Sequence, residues 1–304
     1  MGAPDHVTDL TVDRAALDAL PCPVCESRRA REYLVKEGRP ILICGVCRHL
    51  FWSVMPTPEQ ATAFYASDYT SEHQAPALDS ATIAYYRGHV AELCALADRR
   101  ANQLIIADIG CSYPVLLQQA MLAGAAKVWG VDWSREATEY GRNSGVPMCT
   151  PPEFETLCPN GSLDVLRYSH VLEHLENPLQ ILWRHVRKLR PGGVVYITQP
   201  NVPVLRADAS GVELMDSVWP NHLHFFNPLS LRVMVERCGL TIERFFTLVG
   251  EEAALEKFGA LLDQDYVEAR LAGWPSLGEA SRGSLNNYPL YTGENSVLHA
   301  RRPS

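Results

Sequence analysis

Between residues 100 and 250, short apolar runs alternate regularly with segments of helical periodicity. The predicted strands are QLIIADIG, KVWGVDWS, SLDVLRYSH, VVYITQPN and TIERFFTLVG, with NSVLHARRP as a last strand near the end of the chain. The predicted helices between them are PVLLQQAMLAG, REATEYGRNSG, NPLQILWRHVRKLRPGG and NPLSLRVMVERCGL. We expect the third helix to be stopped by its Pro-Gly-Gly sequence. Strands that alternate with helices predict an α/β fold with a doubly wound, mainly parallel sheet. Such sheets bind ligands beyond the carboxyl ends of their strands.

The sequence DIGCSYP follows the first of these strands and has the outline of a nucleotide-binding turn. Asp108 ends the strand, and Gly110 permits a sharp turn with close approach of the backbone to a ligand. Ser112 and Pro114 stand where second and third glycines are expected. Proline is tolerated at the start of a helix, and serine is small and adds a hydroxyl. The loop is therefore still compatible with cofactor binding.

The second strand ends in another acid, Asp132, 24 residues after Asp108. A carboxylate there can accept hydrogen bonds from two ribose hydroxyls. An NAD enzyme would show the same two acids, so they indicate a nucleotide cofactor without identifying it.

Three longer motifs narrow the choice: GSLDVLRYSHVLEHLENP, VRKLRPGGVVYITQPN and HLHFFNPLSLRVMVERCGL. Together with ADIGCSYPVLL and KVWGVDWSREA, they resemble the class I S-adenosylmethionine-dependent methyltransferases. The resemblance covers about residues 60 to 248 and the final strand. It implies a Rossmann-like fold, S-adenosylmethionine as cofactor and methyl transfer as the reaction. Ser112 and Pro114 depart from the family pattern, which bears on cofactor affinity and not on the fold.

The resemblance also implies roles for single residues. Asp108 and Gly110 would frame the methionine end of the cofactor with Ser112 nearby, and Asp132 would hold the ribose. The complete set of cofactor-binding candidates is Asp108, Gly110, Ser112, Asp132, Trp133, Glu153, Phe154 and His170.

Some of these candidates have a structural alternative. Trp133 would pack on the adenine, or else simply cover the sheet. Glu153 and Phe154 lie where the family contacts the adenine edge, but Phe154 suits a core position equally well.

Histidines are the candidate catalytic residues, because imidazole is the usual base near neutral pH. His170 ends the predicted strand SLDVLRYSH, where the sulfonium methyl should lie. His222 and His224 follow the predicted strand VVYITQPN and, in an extended segment, would face the same way. We expect one of them to act as base or to bind the acceptor; packing is the alternative, and a metal pair is less favoured. Glu173 and His174 suit structural hydrogen bonding as well as function.

Near the N-terminus, two Cys-x-x-Cys pairs are separated by 18 residues. The ligands that this spacing predicts for one tetrahedral Zn²⁺ are Cys22, Cys25, Cys44 and Cys47. The sequence REYLVKEGRPILIC between the pairs predicts two short strands joined by a turn. Four thiolates leave no open coordination position, so the zinc should be structural. This zinc ribbon also resembles the N-terminal module of one branch of the family, often found on natural-product, sugar or cell-surface modifying enzymes.

The predicted domain organisation has three parts. Residues 1–58 form an N-terminal segment with the zinc ribbon, and residues 59–100 a helical linker or cap. Residues 101–304 form the Rossmann-like methyltransferase domain, with a helical insertion at about 250–290. The insertion is interpreted as a surface helix, with a homodimer contact and a substrate lid as alternatives.

Composition limits the location and the partners. The chain lacks an apolar run long enough for a membrane span and an N-terminal export pattern, so we expect a cytoplasmic protein. Nine cysteines without an export signal indicate reduced thiols. The net charge of −8 does not favour nucleic acid as a partner.

The leading functional hypothesis is therefore methyl transfer from S-adenosylmethionine to a small-molecule acceptor, such as a natural-product or sugar and glycan precursor, in secondary metabolite biosynthesis. The alternatives are an RNA methyltransferase that holds RNA with its zinc ribbon, and a non-catalytic binding protein on the same fold. The acceptor and the methylated atom do not follow from the sequence.

Overall fold

The computed structural model describes residues 20–36, 38–57, 59–60, 78–202, 221–248 and 295–303. The segment before residue 20, most of the predicted linker and the expected insertion at 250–290 lie outside the described residues. Among the helices that are described, none has the length and apolar character needed to cross a membrane. The predicted domain boundaries stay predictions.

The strands, numbered along the chain, are β1 (Ala30–Lys36), β2 (Arg39–Cys44), β3 (Leu50–Trp52), β4 (Ile105–Ile109), β5 (Lys127–Val131), β6 (Met148–Cys149), β7 (Leu163–Ser169), β8 (Leu189–Pro200), β9 (His224–Phe225), β10 (Thr241–Leu248) and β11 (Asn295–Arg301). The α-helices are α1 (Ser80–Leu96), α2 (Val115–Leu122), α3 (Arg135–Asn143), α4 (Pro151–Leu157), α5 (Pro178–Val186) and α6 (Pro228–Arg237). Two 3₁₀ turns are Ala101–Gln103 and Leu172–His174.

Seven of these strands form one sheet in the order β10-β11-β8-β7-β4-β5-β6. The five strands from β8 to β6 are parallel, and β11 runs antiparallel to both of its neighbours. The chain winds outward from β4 in both directions, to β5 and β6 on one side and to β7 and β8 on the other. This arrangement confirms the predicted Rossmann-like, doubly wound sheet and places the ligand crevice at the carboxyl end of β4.

Helix α1 packs directly on this sheet domain. Asp79 is its N-cap and accepts a hydrogen bond of 2.7 Å from the backbone N–H of Thr82. Val90 and Leu93 are buried in one apolar cluster with Leu104 of the main domain. Helix α1, which is part of the predicted helical linker or cap, is therefore packed into the hydrophobic core of the sheet.

The expected end of the third helix is wrong. Helix α5 ends at Val186, and β8 begins at Leu189, so the Pro-Gly-Gly sequence lies inside the strand. The register of β7 and β8 shifts at this point, next to the Leu163–Leu189 pair. An added Cβ on Gly193 would lie 3.0 Å from the backbone oxygen of Leu163, which is a tight contact, so this irregular stretch favours a glycine.

The N-terminal strands form a second sheet in the order β1-β2-β3-β9. Strands β1 and β2 are the predicted pair, whereas β3 is an addition that the sequence did not predict. Through the pairs Leu50–Phe225 and Phe51–His224, β3 runs antiparallel to β9 of the methyltransferase part. The ribbon is therefore built onto the segment that enters α6, and its Phe51 is buried in one cluster with Phe226.

Candidate functional site

The loop after β4 has the backbone shape of a glycine-rich turn. Gly110 has φ of +63°, and an added Cβ would lie 2.5 Å from Cγ2 of Val171. Its N–H donates to the backbone oxygen of Val131 at 2.7 Å, which ties the loop to the end of β5. Ser112 has φ of +46°, so a serine occupies the left-handed conformation in which a glycine is usual. Pro114 is the N-cap residue of α2.

Asp132 connects this loop to the loop after β5. Its Oδ2 accepts from the N–H of Ser112 at 2.7 Å, and its Oδ1 accepts from the N–H of Ser134 at 2.8 Å. Burial raises the pKa of Asp132, and the two backbone hydrogen bonds oppose this shift. Each carboxylate oxygen can accept a further hydrogen bond, so the geometry is compatible with a diol at this edge.

Asp108, by contrast, is buried and paired within the protein. Its Oδ1 accepts from Nη1 of Arg167 at 2.7 Å. The Nε–H of Arg167 donates to Nε2 of His89 at 3.2 Å, and Nδ1 of His89 lies 3.0 Å from a carboxylate oxygen of Glu92. Sequence reasoning missed Arg167, although an arginine directly after the apolar pair Val165 and Leu166 of β7 was a visible signal.

The three candidates for the adenine have different environments. Trp133 is 67% exposed directly beside Asp132, so its ring face is available to a ligand. Phe154 is fully buried, with its ring edge-to-face against Trp129 at a centroid distance of 6.0 Å. Glu153 caps α4 through a hydrogen bond of 2.7 Å from the N–H of Thr150. The adenine roles stay predictions, and Phe154 occupies the alternative position in the core.

Two of the three candidate catalytic histidines lie together at the carboxyl end of β7. His170 follows the strand with φ of +53°, and its side chain is 50% exposed. Burial lowers the pKa of His222 to about 4, and His170 adds to the shift by electrostatic repulsion. His222 packs edge-to-face on His174 with a ring centroid distance of 4.7 Å. Burial also raises the pKa of the neighbouring Glu173 to about 8.

The expectation that His222 and His224 face the same pocket is wrong. His224 is 1% exposed, and its Nε2–H donates to the backbone oxygen of Leu175 at 2.8 Å. Its Nδ1 lies 3.2 Å from Nε2 of His49 in the ribbon. The pairing of β9 with β3 turns His224 into the interface between the ribbon and the main sheet, so its placement does not support a role as base.

The four-cysteine cluster is formed by Cys22, Cys25, Cys44 and Cys47. The Sγ atoms of Cys22 and Cys47 are 3.6 Å apart, and those of Cys25 and Cys44 are 3.5 Å apart. All four sulfurs lie within 4.8 Å of one another. The predicted clustering of these four thiols is thus present.

The two cysteine knuckles have matching backbones. The residues that follow them, Glu26 and Arg48, both have φ of +59°, and their N–H groups donate to the oxygens of Cys22 and Cys44. Gly45 is needed in the second knuckle, because an added Cβ would lie 2.9 Å from a backbone oxygen.

The sheet order, the sharp loop after β4 and the acid after β5 define a class I methyltransferase. The family described as Methyltransferase domain matches residues 83–244, which is more than half of the chain. The chain belongs to this family, and the resemblance found in the sequence is confirmed.

Curated relatives include the ubiquinone biosynthesis O-methyltransferase of Thiobacillus denitrificans, 26% identical over 152 residues, which are 45% of this chain and 65% of that protein. The protein of the same name from Aeromonas salmonicida is 28% identical over 151 residues, covering 45% and 63%. The chain spans less than two thirds of the length of these relatives. A similar solved structure, a SAM-dependent methyltransferase from Archaeoglobus fulgidus, is 18% identical with a TM-score of 0.49, covering 71% of this chain and 94% of that one.

Proposed function

We propose that this chain transfers a methyl group from S-adenosylmethionine to a hydroxyl of a small-molecule acceptor. The observation that carries the proposal is the position of Asp132, whose carboxylate joins the two loops at the carboxyl edge of the sheet. S-adenosylmethionine supplies a methyl group that its sulfonium already activates for displacement. The protein has to bind the cofactor, align the acceptor, exclude water and accept a proton.

The geometry of the two loops supports the assignment of the cofactor residues. Asp132 holds the ribose, because both of its oxygens are fixed by backbone N–H groups and each can accept a further hydrogen bond. The turn at Gly110 and Ser112 lets the backbone approach the methionine part. The exposed ring of Trp133 covers the adenine.

The proton of the acceptor goes to an imidazole at the same edge. His170 and His222 are the two candidates, since burial lowers the pKa of both. An imidazole with a lowered pKa is unprotonated at neutral pH and can accept a proton. The names of the relatives favour a hydroxyl acceptor. The ribbon's resemblance to the module of natural-product and sugar-modifying enzymes favours such precursors as acceptors.

The four-cysteine cluster fits one structural Zn²⁺. Tetrahedral thiolate coordination with zinc–sulfur bonds of about 2.3 Å requires sulfur–sulfur distances of about 3.8 Å. The distances of 3.5 and 3.6 Å within two pairs are close to this value. The N–H of Val46 points to Sγ of Cys44 at 3.4 Å, as in a knuckle that stabilises a thiolate. The zinc would stabilise the ribbon and take no part in methyl transfer.

The direct test combines binding and turnover. Titration calorimetry of the full chain with S-adenosylmethionine should give one site per chain. Incubation with methyl-labelled cofactor and a panel of phenols, catechols and sugar nucleotides should then label the hydroxyl of at least one acceptor. Absence of cofactor binding would show a binding protein that kept only the fold. Label recovered in RNA instead would show that the acceptor class is wrong.

A further inference from the structure

Three side chains beside His170, at the carboxyl end of β7, bring metal-binding atoms together. Glu173, His174 and His222 each offer one ligand atom, and these atoms lie within 4.8 Å of one another. Glu173 and His174 belong to the 3₁₀ turn after β7, whereas His222 comes from the segment before β9. The site is thus assembled from two separate parts of the chain.

Glu173 has an environment that a carboxylate in a protein rarely has. It is 1% exposed, and neither of its oxygens has a hydrogen-bond partner among the residues that the structure describes. The nearest ring nitrogens are those of His170 at 3.7 Å and His174 at 3.9 Å, both beyond hydrogen-bond distance. A buried carboxylate of this kind is stable only when a cation or a proton compensates it.

The imidazole of His174 is held in the way that a metal ligand is. Nδ1 of His174 lies 2.7 Å from the backbone oxygen of Asn221, so Nδ1 carries the proton. The neutral ring then has its lone pair on Nε2, the nitrogen nearest Glu173. A hydrogen bond from the second nitrogen to a carbonyl is the usual orienting contact of a metal-binding histidine. His222 is fixed by its backbone oxygen, which accepts from Nε1 of Trp52 at 2.8 Å.

We propose that Glu173, His174 and His222 bind a divalent transition-metal ion that holds the hydroxyl acceptor. Two imidazoles and one carboxylate are a donor set for zinc or iron(II), and three protein ligands leave coordination positions open. An acceptor hydroxyl bound there would have a lowered pKa, so it would lose its proton near neutral pH. His170, beside the cluster, is placed to receive that proton. This inference rests on the proposed function and adds to it a metal ion that binds the acceptor.

The test measures metal binding directly, without activity. Protein whose four-cysteine cluster is loaded with zinc is titrated with Co²⁺, which does not displace zinc from thiolates because it binds more weakly. We expect one further equivalent of cobalt, with visible bands but no sulfur-to-cobalt charge-transfer band. Glu173→Gln and His222→Ala should each weaken cobalt binding by more than about tenfold, since even orienting partners of metal ligands are worth about 10- to 100-fold. Glu176→Gln, an exposed acid three residues from Glu173, is the matched control and should bind cobalt normally.

The outcomes are distinct. No cobalt bound outside the four-cysteine cluster, or binding unaffected by both substitutions, would overturn the proposal. Circular dichroism identifies a variant that fails to fold, and the half-buried His222 provides the decisive variant if Glu173→Gln does so. Calorimetry with S-adenosylmethionine on the same samples reports on the proposed function separately, because none of the three cluster residues is a proposed cofactor residue.

Discussion

The carboxylate of Asp132 accepts a hydrogen bond of 2.7 Å from the backbone N–H of Ser112, the residue that stands in place of a glycine. This contact fixes the first cofactor loop against the second, and Ser112 makes it while its backbone has a positive φ of +46°. The serine therefore preserves the shape of the loop. Asp132 therefore has two expected roles: its carboxylate anchors the first loop, and the same carboxylate is expected to bind the ribose.

The first prediction is that Asp132→Ala weakens S-adenosylmethionine binding by about 1–3 kcal/mol, or about tenfold to a hundredfold. The variant loses two ribose hydrogen bonds and the anchor of the first loop. Glu139→Gln is the control, because Glu139 lies on α3 and its ion pair among the described residues is with the exposed Arg135. Titration calorimetry measures the affinity of wild type, Asp132→Ala and Glu139→Gln for S-adenosylmethionine. Equal affinities for wild type and Asp132→Ala would place the cofactor elsewhere.

The second prediction separates backbone conformation from steric fit. Gly110 and Gly145 both have positive φ, of +63° and +79°, but an added Cβ at Gly145 meets nothing within 4 Å. Gly145→Ala should therefore cost only the backbone term of about 1–2 kcal/mol. Gly110→Ala should cost more, because its Cβ would overlap Val171. Urea unfolding measures both values, and Val171→Ala should partly restore the stability of Gly110→Ala. Equal losses in the two glycine variants would contradict the steric argument.

The third prediction is that the three candidate histidines, His170, His222 and His224, give different effects when each is replaced by alanine. His222→Ala should lower kcat by about 10²-fold or more with little change in cofactor affinity, as for a lost base or acceptor ligand. His170→Ala, at the end of β7, should weaken cofactor binding or change both parameters. His224→Ala should leave kcat of the folded protein unchanged but destabilise it by about 2 kcal/mol or more, since a buried, hydrogen-bonded ring is lost. Single-turnover rates and thermal melts would distinguish these results; near-wild-type rates for His222→Ala would remove its role.

The fourth prediction concerns zinc. Cys44→Ser should lower the zinc content by one ion per chain and reduce the melting temperature, because metal binding supplies the folding free energy of the ribbon. Loosening the ribbon also releases the hydrogen bond from Trp52 to the backbone of His222, so KM for the acceptor should rise. Cys94→Ser, a half-buried thiol on α1, is the control and should keep the zinc. Elemental analysis that finds well under one zinc in the wild-type chain would contradict the assignment.

Sequence reasoning predicted most strands and helices of the sheet, because each has a clear period and a short connection. It failed where long-range pairing overrides local signals. Pro191 was expected to end a helix, but the register shift between β7 and β8 places it within a strand. His224 was expected to reach the acceptor, but β9 pairs with the ribbon. Arg167 was missed because its partner, Asp108, lies 59 residues away.

The last prediction is a loss of stability at acid pH that comes from His185. This side chain is 3% exposed, and burial lowers its pKa to about 4, although Glu155, at 3.0 Å, opposes the shift. Because the unfolded chain has a histidine pKa of about 6.5, it takes up a proton below that pH while the folded protein does not. The free energy of unfolding should thus fall between about pH 6.5 and pH 4, by up to about 3 kcal/mol from this residue. A His185→Gln variant is less stable at pH 7, since it loses the hydrogen bond of 2.6 Å with Tyr168, but its stability should depend less on pH over this range. Urea unfolding of both proteins at several pH values tests this, and parallel curves would show that His185 is protonated in the folded protein.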